Sequence, residues 1–328
     1  MKKYHVYAIG NALVDMEFHV EDAFLAQMGI DKGVMTLVDQ DQQHRLYEAL
    51  KETHGKRASG GSAANTIIAV SHFGGNSFYS CKVANDDAGD FYVADLQRAG
   101  VDTNLHRQRD AGVSGKCIVM VTPDAERTMH TFLGISEQVS DADLHLDAIE
   151  SAEYAYLEGY LVTSPTGRQA AIRLREKAAA KGVKTALTFS DPNMVNFFRD
   201  GLREMLGGGV DLLFCNQQEA LTWANTDDIR NATDALRGVA KQYVVTLGKE
   251  GALVFDGAQQ HHIPATPVKA IDTNGAGDMF AGAYLYAITH GFSAQEAGQF
   301  AVRAAAKVVT HFGPRLEPAG YQALLPVK

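Results

Sequence analysis

The chain has 328 residues, of which 46% are hydrophobic and 21% charged, an ordinary composition for a globular enzyme with its own buried core. Its formal net charge is −9, and no run of lysine and arginine reverses that sign locally, so nucleic acids and anionic membranes are poor partners. No apolar stretch approaches the roughly 20 residues that a membrane-spanning helix needs, and no signal-peptide pattern opens the chain. Three widely spaced cysteines indicate buried thiols rather than disulfides, so we expect a cytoplasmic protein.

The first half of the chain mixes short strands with amphipathic helices. A turn signal at 123–126 separates two apolar runs, which predicts a β-hairpin. The predicted strands are 4–9, 34–38, 77–82, 115–121 and 128–132, and the predicted helices are 40–52, 62–73 and 88–98.

The second half alternates more regularly between strands and helices. An Asp-Gly turn at 256–257 predicts a second hairpin. The predicted strands are 154–158, 184–189, 211–215, 242–247, 252–255 and 260–263, and the predicted helices are 165–181, one starting at 219, 232–241, 276–289 and 294–310.

This alternation predicts an α/β architecture. Strands separated by helices form right-handed βαβ units, which build a mainly parallel sheet with helices on both faces. The elements near 11–20, 34–39 and 112–135 do not follow this alternation of strands and helices. We expect them to form a small second sheet that acts as a lid. No linker or repeat divides the chain, so we expect a single domain over 1–328.

The sequence Asp-Thr-Asn-Gly-Ala-Gly-Asp at 272–278 gives the strongest chemical signal. Gly275 and Gly277 lie where a loop enters an apolar helix, and backbone N–H groups at such a helix start converge on anions. Asp278 in the first turn could serve only to stabilise the helix dipole, but two glycines directly before it are costly for a mere cap. The segment therefore favours a phosphoryl-binding loop with a functional carboxylate.

Other phosphate-binding signatures are missing from the sequence. It contains no GxxxxGK[ST] motif, no GxGxxG after the first strand, and neither HRD nor DFG. Walker nucleotide hydrolases, dinucleotide-binding enzymes and protein kinases are therefore disfavoured.

Two N-terminal segments are candidates for binding a small molecule. Asp15 follows the first strand, where ligands of open α/β sheets gather, and its carboxylate would suit two vicinal hydroxyls. Gly61 and Asn65 belong to a small-residue cluster at 59–66, which could equally be a tight loop-to-helix entry capped by Ser62.

Two further segments follow predicted strands. Asn216 and Glu219 share one face of a helix start, which is consistent with a capping box or with an oxygen ligand for hydrated Mg²⁺. The segment 246–251 forms a turn whose backbone could border a nucleotide.

Taken in chain order, the blocks GNALVD, GGSAANT, NQQE, TLGKEG and DTNGAGD resemble the PfkB (ribokinase-like) family of small-molecule kinases, from about Gly10 to Gly313. Asn274 and the spacing of the first two blocks are most similar to its adenosine kinases. The resemblance implies a ribokinase-like three-layer α/β/α fold and ATP-dependent transfer of the γ-phosphate to the 5′-hydroxyl of adenosine or a related nucleoside. The segment Asp191-Pro192-Asn193 resembles sugar kinases, which keeps ribose, fructose or another sugar open as the acceptor.

The resemblance also implies site residues. Asp278 would be the catalytic base, the amides of Gly275, Ala276 and Gly277 the anion hole, and Arg127 a lid arginine that reaches the phosphates. The implied substrate-binding residues are Asp15, Gly61, Asn65, Asn11, Leu13 and Phe132, and the implied ATP-binding residues are Asn216, Thr246, Gly248, Asn274 and Gly277. Glu219 would hold Mg²⁺ through water, and Asp272 could border a monovalent cation such as K⁺. The chain would be a monomer or a homodimer; a catalytically silent regulator on the same fold is the non-enzyme alternative.

Overall fold

The computed structural model describes residues 2–51, 56–105, 109–124 and 126–325. Glu52, at the end of a predicted helix, and Ala125, within the predicted turn, lie outside these residues. The strands are β1 (Tyr4–Ile9), β2 (Leu13–His19), β3 (Met35–Leu37), β4 (Lys56–Gly60), β5 (Ser77–Ser80), β6 (Val101–Asp102), β7 (Gly115–Val121), β8 (Arg127–Phe132), β9 (Ala152–Glu158), β10 (Lys184–Thr188), β11 (Val210–Asn216), β12 (Ala240–Thr246), β13 (Ala252–Phe255) and β14 (Gln260–Ile263). The α-helices are α1 (Asp22–Met28), α2 (Gln40–Leu50), α3 (Ser62–His72), α4 (Asp87–Arg98), α5 (Leu146–Glu150), α6 (Pro165–Ala180), α7 (Pro192–Phe197), α8 (Arg199–Leu206), α9 (Gln217–Ala224), α10 (Ile229–Leu236), α11 (Ala276–Thr289), α12 (Ala294–Val308) and α13 (Pro318–Leu324).

The large sheet has the strand order β14-β13-β12-β11-β10-β9-β1-β5-β6. Its strands from β12 to β6 are parallel, and only β13 and β14 run antiparallel to their neighbours. Alternate residues of β1 belong to separate cores: Val6 lies in the core that contains residues of α3, α11 and α12, and Tyr7 lies in the core that contains residues of α6. Helices therefore cover both faces, which confirms the predicted three-layer α/β/α fold.

The small sheet has the order β3-β8-β7-β2-β4. It contains the predicted hairpin of β7 and β8, and it also contains β4, which the sequence does not predict. β4 is short and carries Lys, Arg, Ser and Gly, so its residues lack the apolar alternation by which strands are recognised. It pairs antiparallel with β2, with Leu13 opposite Gly60.

The largest error in the predicted boundaries of the second half lies where one helix meets the strand that follows it. The helix expected at 232–241 is Ile229–Leu236, and β12 begins at Ala240 rather than at 242. Asp228 caps the helix by accepting from the N–H of Arg230 at 2.9 Å, so the helix starts earlier than its apolar periodicity indicates. The helix then ends before Gly238, which frees the next residues to enter the strand.

The three cysteines are buried and form no disulfide, as their spacing predicts. Of the helices in the described ranges, none combines the length and the apolar character needed to cross a membrane.

Candidate active site

A cavity of about 460 Å³ lies between the carboxyl ends of the large sheet and one face of the small sheet. This volume is within the roughly 300–1,000 Å³ of small-molecule sites, and the place is where open α/β sheets bind ligands. Most of the predicted site residues line it: Asn11, Leu13, Asp15, Gly61, Asn65, Asn216, Glu219, Thr246, Asn274, Gly275, Ala276, Gly277 and Asp278.

The N-terminus of α11 opens onto this cavity. Gly275 adopts the left-handed φ of 70° that precedes the helix, and a Cβ there would lie 2.5 Å from the Cβ of Pro314. Gly277 is different, since a Cβ on it would meet no atom within 4 Å. The N–H of Ala276 donates to the Thr273 carbonyl at 3.3 Å and closes the turn. Gly275 is therefore required by the backbone, whereas the bare face of Gly277 borders open space.

Asp278 lies in the first turn of α11, where α3 supplies its hydrogen-bond donors. The Ser62 hydroxyl donates to Oδ1 at 2.6 Å, and Nδ2 of Asn65 donates to Oδ2 at 3.0 Å. Burial raises the pKa of Asp278 to about 6, against these two hydrogen bonds and the positive charge of Arg315. A carboxylate with this pKa is ionised at neutral pH and can still accept a proton.

Asp15 stands on the small-sheet side of the same cavity. A Cβ on Gly60 would lie 2.1 Å from its Oδ1, so the glycine lets the carboxylate lie against the backbone of β4. Burial raises the pKa of Asp15 to about 7, and the nearby charge of Asp278 adds to that effect. Two carboxyl groups with raised pKa values thus face one cavity, a pattern typical of functional sites.

Glu158, at the end of β9, is a cavity residue that the sequence analysis missed. It is only 1% exposed, and its oxygens accept from the N–H and Nδ2 of Asn11, both at 3.2 Å, and from the N–H of Ala63 at 2.8 Å. Burial raises its pKa to about 7. The position of Glu158 directly after a buried strand, at the sheet edge where Asn11 also lies, is the signal that could have found it.

Asn216 and Thr246 are paired in register at the ends of β11 and β12. The capping box is present: the Glu219 carboxylate accepts from the N–H of Asn216 at 3.0 Å and from its Nδ2 at 2.7 Å, while the Asn216 side chain accepts from the N–H of Glu219 at 2.8 Å. Glu219 is 3% exposed, and burial raises its pKa to about 7. The capping interpretation is correct, and the same carboxylate lies at the cavity wall.

The small sheet contributes one face of alternating residues to the cavity. These are Leu13 and Asp15 of β2, Met35 and Leu37 of β3, Cys117 and Val119 of β7, and Met129 and Thr131 of β8. Phe132 is out of phase with its neighbours and is not among the lining residues, because successive side chains of a strand point to opposite faces. The structure therefore does not bring Phe132 to the cavity, and Met129 and Thr131 take that place.

Arg127 lies farther along the same strand and does not line the cavity. Its guanidinium contacts the carboxylate of Asp272 and, at 3.1 Å, that of Glu17. Asp272 is 3% exposed and also accepts from the N–H groups of Asn274 at 2.9 Å and Gly313 at 2.6 Å. Arg127 thus ties the small sheet to the loop before α11 rather than reaching the cavity.

Two other predicted segments take different positions. Gly248 has a left-handed φ of 58° in the turn after β12 and is not among the lining residues. Asp191 caps α7, accepting from the N–H of Asn193 at 2.7 Å. Ser190, directly before Asp191, lines the cavity with a left-handed φ of 70°, and its Oγ has no hydrogen-bond partner within the described part of the chain.

Comparisons with known proteins identify the family of the chain. A family model for pfkB family carbohydrate kinases matches residues 28–319. The adenosine kinase of Sinorhizobium meliloti is 35% identical with a TM-score of 0.90, and a probable sugar kinase protein from Rhizobium etli CFN 42 is 32% identical with a TM-score of 0.92; each match covers 98% of both chains. The adenosine kinase of Schizophyllum commune is 26% identical over 97% of this chain and 98% of its own.

The fold and the comparisons define a ribokinase-like small-molecule kinase, an ATP-dependent phosphotransferase that acts on a hydroxyl group of a nucleoside or sugar. The chain belongs to the PfkB family of carbohydrate kinases. This confirms the resemblance drawn from its motifs.

Proposed function

We propose that the protein phosphorylates the 5′-hydroxyl of adenosine or a related nucleoside. The observation that carries the proposal is that the cavity lined by Asp278 has two unlike walls. On one side lies the start of α11 with its glycines, and on the other the apolar face of the small sheet, which suits a nucleobase better than a sugar alone. The adenosine kinases among the similar proteins support the same acceptor.

Asp278 would act as the general base. The acceptor oxygen attacks the γ-phosphorus, the bond between that phosphorus and the bridging oxygen of ATP breaks, and the hydroxyl proton passes to the Asp278 carboxylate. The amides at Gly275 and Gly277 would bind the developing charge of the transferring group, since first-turn N–H groups of a helix have no intrahelical acceptor. Ala276 contributes less, because its N–H already closes the turn with Thr273.

The acceptor would be held between α3 and the small sheet. Asp15 and Asn65 would bind ribose hydroxyls, and Gly61, with a left-handed φ of 100°, would let the backbone approach them. Asn11 is fixed by Glu158 and by the Tyr79 hydroxyl, which donates to its carbonyl at 3.0 Å. Leu13 supplies apolar surface for the base.

ATP would lie along Asn216, Thr246 and Asn274. Such kinases use ATP with Mg²⁺, and the residues present fit a hydrated ion: Glu219 is a buried carboxylate at the cavity wall that keeps acceptor capacity beyond its two hydrogen bonds. Mg²⁺ held there through water would supply positive charge against the phosphates. Within the described residues no three His, Cys, Asp or Glu side chains form a metal cluster, which is consistent with an ion held mainly by phosphates and water.

The residues around Asp272 do not fit a potassium ion at its carboxylate. Its two oxygens accept from two backbone N–H groups and from the Arg127 guanidinium, which supplies the positive charge. The contact of Arg127 with the phosphates, the small sheet acting as a lid, the cytoplasmic location and the choice between monomer and homodimer stay predictions of the sequence.

The test is a panel of acceptors under saturating ATP and Mg²⁺, with ADP formation as the readout. We expect kcat/KM for adenosine to exceed that for ribose and fructose by about 100-fold or more, because the base adds apolar contact that the sugars lack. The ratio of kcat/KM for adenosine to that for inosine measures how strongly the site distinguishes the two bases. A preference for ribose or fructose would overturn the nucleoside assignment and favour a sugar kinase; ADP formation independent of every acceptor would contradict both.

A further inference from the structure

We propose that Arg315 is a positioning residue for Asp278: through Asn65 it fixes the hydrogen bond to the carboxylate, and its charge favours the ionised form. The inference rests on the proposed role of Asp278 as base. Arg315 follows α12 and the loop after it, outside every motif singled out in the sequence.

The contact chain runs through the two ends of one amide. Nε of Arg315 donates to Oδ1 of Asn65 at 2.9 Å, and Nδ2 of Asn65 donates to Oδ2 of Asp278 at 3.0 Å. A guanidinium can only donate, so it requires the amide oxygen on its own side. The amide NH₂ must then face Asp278. Without Arg315 the amide could turn and present its oxygen to the carboxylate.

Arg315 is itself held in place. Its Nη1 donates to Oδ2 of Asp95 at 3.0 Å and to the Ser59 hydroxyl at 3.1 Å, and the N–H of Ser59 donates to the same Asp95 oxygen at 3.1 Å. The side chains of Arg315 and Asp95 are 15% and 21% exposed. Although partial burial opposes ionisation, the hydrogen bond from Ser59 and the charge of Arg315 lower the pKa of Asp95 to about 2.

The charge of Arg315 reaches both carboxyl groups of the cavity, since it lowers the pKa of Asp278 and of Asp15 against the effect of burial. The positive charge of Arg315 lowers the pKa of several titratable groups: Asp95 and Tyr92 of α4, His72 of α3, Tyr321 of α13, Asp15 of β2 and Asp278 of α11. The negative charge of Asp278 raises the pKa of four groups: Asp15, Glu158, Tyr156 and Tyr160. Arg315 therefore supplies the positive charge that acts on Asp278, while burial opposes the ionisation of that carboxyl group.

The test compares Arg315→Gln with the matched control Arg98→Gln. Arg98 also pairs with Asp95, at 2.9 Å, but its partner is Oδ1 and it has no contact with Asn65 in the described residues. For Arg315→Gln we expect the acid limb of the kcat profile to move up by about one pH unit, and kcat at pH 7 to fall about tenfold, with a smaller change in KM. Arg98→Gln should keep the wild-type profile. The phosphate groups of ATP also titrate, but they do so identically in every assay. They therefore cannot cause a difference between the pH profiles of the variants.

Two more variants separate the effect of the Arg315 charge from the effect of disturbing the structure around it. Arg315→Lys keeps the charge without the planar fork, so its acid limb should stay in place while kcat falls. Asp95→Asn removes a negative charge next to Arg315, so its acid limb should stay or move down, opposite to Arg315→Gln. An unmoved acid limb in folded Arg315→Gln would overturn the proposal; if that variant does not fold, a wild-type kcat in Arg315→Lys would do so. Full activity of Asp278→Asn would instead reject the base itself, whatever Arg315 does.

Discussion

The two walls of the cavity are built in different ways. The large-sheet wall combines a few apolar side chains, such as Phe214 and Phe280, with backbone and polar groups from short segments, above all Gly275, Gly277 and Asp278 at the start of α11. The small-sheet wall takes every second residue from four strands that lie between 13 and 131. The reaction type is therefore set by one local segment, whereas acceptor choice depends on side chains that are distant in sequence and meet only in the folded sheet.

Apart from the loss of the Asp278 carboxylate itself, the largest effect is expected at Gly277, on the large-sheet wall. Since a Cβ there meets no protein atom within 4 Å, Gly277→Ala should fold normally and keep the wild-type Tm. Its methyl group faces the space where we place the transferring group, so kcat should fall about 100-fold. Steady-state kinetics and thermal unfolding test this together.

Gly275→Ala is the paired variant. It meets Pro314 at 2.5 Å and must adopt a φ of 70°, so both Tm and kcat should fall. Normal kcat in Gly277→Ala would show that the first turn of α11 does not face the phosphoryl group.

A smaller effect is expected at Met129, on the small-sheet wall. Met129→Ala should raise KM for the nucleoside about tenfold and change kcat little, because it removes apolar contact with the base and leaves the reacting groups in place. Phe132→Ala is the control on the opposite face of β8 and should leave KM unchanged. Equal effects of the two variants would contradict the alternation inferred for this wall.

The smallest effect concerns pH and the stability of Asp278. Its pKa of about 6 lies above the value near 4 that an aspartate has in the unfolded chain. Ionisation of Asp278 therefore lowers the free energy of unfolding, because the charge costs more in the folded state than in the unfolded state. That penalty is absent below pH 4, grows as the pH rises to about 6, and is complete above it. Asp278→Asn should therefore match the wild-type Tm at pH 4 and exceed it by about 2 °C at pH 8. The histidines titrate in both proteins, so their effect on Tm cancels when the variant is compared with wild type at the same pH. A higher Tm for wild type than for the variant at pH 8 would contradict the raised pKa.

The difference between the walls also explains what could be read from the sequence. The fold class, the Gly275–Asp278 segment and the Asn216–Glu219 pair were predictable because their signals are local: alternation of elements, glycines at a helix start, and a capping spacing. β4 and Glu158 were missed since β4 has no apolar alternation and Glu158 gains its partners Asn11 and Ala63 only from the order of strands. Phe132 was wrongly expected at the cavity because the phase of a strand relative to a site is not visible in its composition.

Arg127 and Arg315 show the same limit for charges. A solitary arginine in a sequence gives no sign of which carboxylate it will meet. The structure pairs Arg127 with Asp272, 145 residues away, and links Arg315 to Asn65 across 250 residues. Such pairings follow from how β8 and the segment after α12 pack against the rest of the chain.

The most direct test of the central claim is the rate of ADP formation by Asp278→Asn with adenosine, ATP and Mg²⁺, measured beside the affinity of the same variant for adenosine. We predict that kcat falls about 1,000-fold while adenosine binds with a Kd within a few-fold of wild type, because the amide can hold the site's geometry but cannot accept the proton. A kcat within about threefold of wild type would contradict the account.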